Sequence, residues 1–228
     1  MIDVTAVLFA KSVSSRFPGK NLKPFARKNG KSLTLLEWKI EQLIQVFSLD
    51  KIMLSSDSEE ILEIGRKYQL KLQYRPLEVA EADFTTNLKY AAQEVNSAYF
   101  MYTNGPCYPL LSPNNYRIFL DFCAKNSQLL EEGIFGVEIL KGFLLYENNF
   151  LNFVPQNMLY SQNVSNVERV IWGLALRATN MVLENGSLFS NPNNKFLIPN
   201  NDAIDIDYES DMLLAQSILF NTYPDTKL

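Results

Sequence analysis

The 228-residue chain contains no histidine. That absence removes the commonest general base, the Ser-His and Cys-His nucleophile pairs, and histidine-ligated zinc or iron. Any catalysis must then draw on carboxylates, cations, backbone amides or a hard metal ion. Cysteine is scarce as well. Cys107 and Cys123 form neither a disulfide framework nor a metal-binding spacing, and so few thiols suit a reducing compartment. Long apolar runs are missing, none approaching the ~18 residues of a membrane span. The opening MIDVTAVLFA carries an acid where a signal peptide would carry cations. These features lead to the expectation of a cytoplasmic protein that does not engage membrane. Excess positive charge is also absent. A net charge of −4 argues against a general nucleic-acid binder, so any anion site must be local.

What is present reads as an alternation of strands and helices. Residues 2–9 form an Ile/Val/Leu/Phe run of the kind buried on both faces of a parallel sheet. Leu36, Ile40, Leu43 and Phe47 recur at helical spacing within 33–48. KIMLSS (51–56), LKLQY (70–74), AYFMYT (98–103) and IFGVEI (134–139) read as further strands, and 85–97 and 114–125 as helices. Ser56 or Asp57 is expected to cap a helix that begins with Glu59 and Glu60. The pattern predicts an α/β fold, a doubly wound and mostly parallel sheet in a single domain spanning 1–228. Between 140 and 203, asparagine-rich turns separate short apolar runs with no clear helix, which predicts a small β-rich insertion within that domain. The chain then closes with AIDIDYESDMLLAQSILF, expected as a short strand, an acidic turn and a helix.

The acidic protein concentrates cations directly after its first strand, in AVLFAKSVSSRFPGKNLKPF (6–25). In open α/β sheets ligands sit where such loops converge at the carboxyl ends of the strands. Ser14, Ser15 and Gly19 allow backbone amides to approach an anion closely, while Lys11, Arg16 and Lys20 supply mobile positive charge. Together they suit a polyphosphate, which needs several donors at once. The loop is not a P-loop, because Gly19-Lys20 is followed by Asn21.

This stretch resembles the signature of the nucleotide-activating cytidylyltransferases, roughly A-R-x-x-S-x-R/K-x-P-G-K-N-x-x-P, a group that includes the CMP-sialic acid, CMP-Kdo and spore-coat polysaccharide enzymes. SSDSEEILEIGRKYQLKLQYRP (55–76), EVAEADFTTN (78–87) and AIDIDYESDMLLAQ (203–216) resemble three further family segments in the family's order. The resemblance implies a Rossmann-like fold of the nucleotide-diphosphosugar transferase type. It also implies a reaction in which CTP and an acidic or unusual sugar give CMP-sugar and pyrophosphate. By position, Lys20, Arg16 and Lys11 would act catalytically on the triphosphate, joined in nucleotide binding by Ala10, Ser14 and Asn21. Arg75, Asp83, Thr86 and Asn87 would surround base and ribose. Asp205 and Asp207 would hold Mg²⁺, which favours one or two carboxylates plus phosphate oxygens and water. Asp211 is read as capping the last helix or facing solvent there. The family also implies a homodimer, with the 140–203 arm reaching toward its partner.

Departures from the pattern fall at the nucleotide positions and, to a greater extent, on the acceptor side. Lys11 stands where the family has arginine, losing the fork that grips phosphate at two points. Tyr102 replaces a glutamine that contacts the nucleotide in the sialic acid branch, and Trp172 replaces an asparagine. Lys141, Gln162, Arg169, Trp172 and Arg177 are the acceptor-binding candidates. A non-catalytic relative that keeps a nucleotide site, or serves as a partner subunit, is the alternative reading.

Overall fold

A computed structural model describes residues 2–228. Its elements in chain order are β1 (Val4–Ala10), β2 (Pro24–Lys28), β3 (Lys31–Thr34), α1 (Leu35–Leu43), β4 (Ile52–Ser56), α2 (Glu59–Lys67) and β5 (Lys71–Tyr74). They continue with α3 (Leu77–Ala80), α4 (Phe84–Ala92), β6 (Tyr99–Thr103), α5 (Pro113–Lys125), β7 (Ile134–Leu140), β8 (Leu145–Tyr146) and β9 (Asn149–Phe150). The last are β10 (Val167–Ala178), α6 (Thr179–Asn185), β11 (Lys195–Leu197) and α7 (Glu209–Thr222).

Seven strands form the central sheet in the order β11-β7-β10-β6-β1-β4-β5, while β2-β3 and β8-β9 are separate hairpins. Every pairing in the main sheet is parallel except those of β10, which runs antiparallel to both β6 and β7. The side-chain period of a strand explains the two layers. Val4, Leu8 and Ala10 of β1 pack with Leu36, Ile40, Tyr116 and Phe119, from α1 and α5. Val7 and Phe9 face the other way, onto Leu88, Ala91 and Ala92 of α4 and Val182 of α6. A third cluster joins Phe17, Phe25 and Leu35 to Ile206, Met212, Ala215 and Leu219, seating α7 against the β2-β3 hairpin.

Local chemistry sets the helix starts. Thr34 and Glu37 form a reciprocal capping box on α1, and Ser112 and Asn115 one on α5. Asp83 caps α4 through the Thr86 N–H. The expected cap of α2 is displaced by two residues or one: Ser58, rather than Ser56 or Asp57, accepts the Ile61 N–H.

The stretch 140–203 divides differently from the sequence expectation. Residues 141–166, with the short β8-β9 hairpin, form an excursion between two neighbouring strands of the main sheet, β7 and β10. The rest contributes β10, a sheet strand flanked on both sides, and β11 at the edge, with a helix, α6, between them. The asparagine-rich turns on either side mask β10, whose burial on both faces makes it a core element. Residues 203–207, expected as a short strand, pair with no other strand. They nevertheless alternate, since Ile204 and Ile206 pack inward between Asp205 and Asp207.

Candidate active site

Parallel pairing aligns the carboxyl ends of β1, β4, β5 and β6, so the residues following Ala10, Ser56, Tyr74 and Thr103 converge. A cavity of about 400 Å³ opens there. Lys11, Ser14, Arg16, Lys20, Asn21, Arg75 and Asn87 line it, together with Phe9, Val13, Ser15, Phe84, Tyr102, Asn104 and Cys107. Seven of the ten nucleotide-binding candidates thus meet at one cavity. Ala10 lies behind it, buried at the end of β1 and paired with Ser56. Asp83 and Thr86 are spent on capping α4, which holds the Asp83 carboxyl below its usual range. A larger cavity of about 680 Å³ lies between α1, the β2-β3 hairpin and the C-terminal tail, with Trp38, Glu41, Pro109 and Tyr223 in its wall. No strand of the main sheet ends in its wall, and its Lys28 and Glu41 pair with each other at 2.6 Å.

The cationic loop leaves its charges against the acidic turn that precedes α7. Arg16 Nη2 lies 2.7 Å from Asp207 Oδ1, and Lys20 Nζ lies 3.9 Å from the same oxygen. Lys20 Nζ also donates to the Ile206 carbonyl at 2.5 Å, while the Ile206 N–H donates to the Cys107 carbonyl at 2.8 Å. Tyr108 donates its hydroxyl to Asp205 Oδ2 at 2.9 Å. Asp211 Oδ2 accepts the N–H groups of Asp207 and Tyr208, at 2.9 and 2.7 Å, so it caps α7. Burial raises the Asp205 carboxyl above its usual range, opposed mainly by the Tyr108 hydrogen bond. Burial likewise raises the Cys107 thiol, opposed mainly by the Lys20 charge.

Several buried polar atoms in this region lack a partner within the chain. Arg75 is fully buried, its guanidinium 4.8 Å from the Phe9 ring centroid. Its Nη1 donates to Asn87 Oδ1 at 3.0 Å, whereas Nε and Nη2 have no acceptor. Burial holds this guanidinium below its usual range, opposed mainly by the charge of Asp57. Asn21 donates Nδ2 to the Lys11 carbonyl at 2.9 Å, but its Oδ1 is unpartnered. Asp205 Oδ1 is also unpartnered. Buried polar groups without partners are costly, so the arrangement suits a ligand that supplies both acceptors and donors.

The acceptor candidates scatter. Trp172 sits at a register shift in β10, where its carbonyl accepts the Asn104 N–H at 3.1 Å. Its ring meets Phe84 edge-on at 5.3 Å, and Phe84 and Tyr102 meet at 5.5 Å, giving the cavity an aromatic border. Arg169 is committed to the buried carboxylate of Glu138. Lys141 and Gln162 lie exposed at the base of the arm and within it. Arg177 is a correction. Because β10 is antiparallel, Arg177 pairs with Phe100 at the far end of the sheet. There it is buried and donates to the carbonyls of Glu131 and Ser187. Phe9 and Phe84 escaped the sequence reading because each looks like an ordinary core aromatic.

Comparison with known proteins agrees with this geometry. Residues 5–107, just under half of the chain, match the family model described as cytidylyltransferase. A pseudaminic acid cytidylyltransferase of Campylobacter jejuni is 26% identical over 221 residues, covering 92% of this chain and 93% of that protein. Among solved structures, a CMP:2-keto-3-deoxy-manno-octonic acid synthetase complexed with CTP superposes with a TM-score of 0.68 at 12% identity, covering 96% and 99% of the two chains. A 4-diphosphocytidyl-2C-methyl-D-erythritol synthase from Anaerococcus prevotii gives 0.64 at 14% identity, covering 96% of each. At such identities these two superpositions speak to the fold. With the sequence matches and the opening loop beside them, the chain is similar to nucleotide-sugar cytidylyltransferases over nearly its whole length.

Proposed function

We propose that the chain transfers CMP from CTP to an acidic sugar and releases pyrophosphate. The observation that carries this is the convergence of Lys11, Arg16 and Lys20 with the unpartnered atoms of Arg75 and Asn21 on one cavity at the strand ends. In this reading the triphosphate lies along residues 11–20, and the cytidine lies toward Arg75, Phe84 and Asn87. An acceptor hydroxyl oxygen attacks the α-phosphorus and gives up its proton to solvent. The bond from that phosphorus to the bridging oxygen breaks, and pyrophosphate departs with the charge that Lys20 and Arg16 neutralise. The acceptor would rest against the Trp172 face. Since one sequence relative is a pseudaminic acid enzyme, sugar acids of that kind head the list of acceptors.

Asp205 and Asp207 fit Mg²⁺ on the chemistry of the donor set. One buried carboxylate oxygen is unpartnered and a second carboxylate lies two residues on. Among the described residues no group of three acidic, cysteine or histidine side chains gathers, so phosphate oxygens and water would complete the shell. Bound there, the ion would supply charge neutralisation on the phosphates. Arg16 must leave Asp207 for the triphosphate, and Tyr108 holds Asp205 in place throughout.

The arm is the proposed contact between two copies of the chain. Leu145, Tyr146, Phe150, Val154, Met158 and Tyr160 are all more than half, or close to half, of the way exposed on it, an apolar surface of the kind that marks an interface. No helix among the described residues is long and apolar enough to cross a membrane. The cytoplasm, where CTP and a reducing milieu coincide, is the proposed location.

The commitment of Arg169 and Arg177 to structural partners favours the second reading, a nucleotide-binding relative without an acceptor. Calorimetric titration with CTP, ATP, GTP and UTP, with and without Mg²⁺, tests the nucleotide half. Pyrophosphate release with a panel of acidic sugars then separates the two readings. Selective CTP binding with no turnover of any acceptor would establish the second, and no binding of any nucleotide would overturn both.

A further inference from the structure

Asp57 is not needed to cap α2. Ser58 does that through the Ile61 N–H, and the Ser58 N–H is itself taken by Ser56 Oγ at 3.1 Å. The Asp57 carboxylate turns instead toward the loop that follows the neighbouring strand. Ser12 donates its N–H to Oδ1 at 2.9 Å and its hydroxyl to Oδ2 at 2.6 Å. The two residues can meet because β1 and β4 are parallel neighbours with Ala10 opposite Ser56, so both chains leave the sheet at the same level. Arg75 is held at the same edge by its own N–H, which donates to the Ser56 carbonyl at 2.8 Å.

We propose that Asp57 is a positioning residue for the phosphate loop, clasping Ser12 so that residues 12–19 are arranged to receive the triphosphate before it arrives. This rests on the CTP reading above. Among the described residues, the N–H groups from Val13 to Gly19 bond no other backbone carbonyl. That leaves them free to point at an anion, but it also leaves the segment without internal restraint. Val13 is 74% exposed, so packing does not restrain the stretch next to Ser12 either, whereas further along Arg16 pairs with Asp207 and Phe17 is buried in the third cluster. A loop that must be ordered on binding loses affinity in proportion to the time it spends out of place. The two-point bond at Ser12 sets the direction in which the loop departs, and Lys20, on the short turn at its other end, is anchored to Ile206.

Charge sharpens the inference. A carboxylate beside a triphosphate repels it, so toward the ligand electrostatics selects against an acid here, although toward the protein its charge favours the buried Arg75 guanidinium. Geometry accounts for it: one side chain offering two acceptors in a plane matches an N–H and an O–H on the same residue. Asparagine can reproduce that pattern, because Oδ1 accepts the N–H while Nδ2 donates to the serine oxygen. The prediction for Asp57→Asn is therefore the opposite of the one for Asp57→Ala.

The test compares CTP with CMP by calorimetry in wild type, Asp57→Ala, Asp57→Asn and Ser12→Ala, with thermal melting to verify folding. If the clasp is worth one to two powers of ten in loop population, Asp57→Ala weakens CTP about 10- to 100-fold. CMP, which lacks the β- and γ-phosphates, should stay within about twofold. Asp57→Asn should retain CTP within about threefold, and adding Ser12→Ala to Asp57→Ala should change nothing further, because Asp57→Ala already removes both hydrogen bonds to Ser12. Unchanged CTP affinity in folded Asp57→Ala overturns the proposal. So does an equal loss of CTP and CMP, or an asparagine variant as weak as the alanine one. Should Asp57→Ala melt below the assay temperature, Ser12→Ala carries the same comparison. A wild-type protein that binds neither nucleotide overturns the CTP reading. The clasp itself is then judged by amide exchange at residues 12–15, where protection unchanged by Asp57→Ala overturns it and a loss of protection upholds it.

Discussion

Replacing Lys20 with methionine keeps the length of the stem and removes the ammonium. In the structure that group does two things, and each has its own magnitude. Toward the proposed ligand it is a cation on the wall of the cavity, where a charged hydrogen bond to phosphate would be worth about 1.5–3 kcal/mol. At 1.4 kcal/mol per tenfold, CTP affinity should fall roughly 10- to 150-fold. Toward the protein it is the donor to the Ile206 carbonyl at 2.5 Å, and leaving that buried acceptor unpaired costs about 1–3 kcal/mol of stability. For a chain of this size each kcal/mol lowers melting by about 2–4 °C. Calorimetry with CTP and CMP separates the effects, because a phosphate-specific loss spares CMP whereas a collapse of the 205–207 segment would weaken both. A folded Lys20→Met protein that binds CTP as tightly as wild type refutes the placement of the triphosphate.

Arg177→Met should lower the melting temperature, since three donors to Glu131 and Ser187 disappear from a buried site, yet leave the KM for CTP and for the acceptor unchanged. A selective rise in the acceptor KM would return Arg177 to the site. Asp205→Asn tests the raised carboxyl. Because the folded protein holds that proton more tightly than the unfolded chain, Asp205 favours folding at pH below its ordinary value and disfavours it as pH rises through the raised one. At neutral pH the asparagine variant, which can still accept from Tyr108, should therefore melt higher than wild type without ligand while losing the Mg²⁺ dependence of CTP binding. Melting curves at pH 5 and 8 check the sign, and equal or lower stability at pH 8 would refute it. Gly173→Ala places a Cβ 2.5 Å from Leu111 Cδ1 and 3.0 Å from the Tyr108 ring. Overpacking of this kind costs about 1–3 kcal/mol, and displacing Tyr108 should loosen its hold on Asp205, read as weaker Mg²⁺-dependent CTP binding.

The sheet's parallel strands were legible because burial on both faces leaves unbroken apolar runs, as in VTAVLFA and IMLSS. The cationic loop was legible because its charges stand against an acidic chain. Strand β10 was not, since VERVIWGLALRA carries charge at both ends and its neighbours in sequence are asparagine-rich turns; its place in the sheet depends on β6 and β7. The same long-range dependence hid the fate of Arg177. Nothing local distinguishes a cation that will face a cavity from one that will tie two loops at the far end of a strand. Asp57 illustrates the reverse case. Its sequence neighbours favour a helix cap, and only the register of β1 against β4 reveals a serine within reach.

The arm joins the sheet at a single pair, with Leu140 opposite Val167 in register. Antiparallel partners of this kind have Cα atoms only about 5 Å apart, the span of a tight turn. Residues 141–166 are thus topologically one long hairpin loop, entering and leaving the core through adjacent doors. Closure entropy varies slowly with loop length, about 0.6 kcal/mol per doubling. The segment can accordingly be shortened or lengthened at little cost, while the sheet and the cationic loop it carries stay as they are.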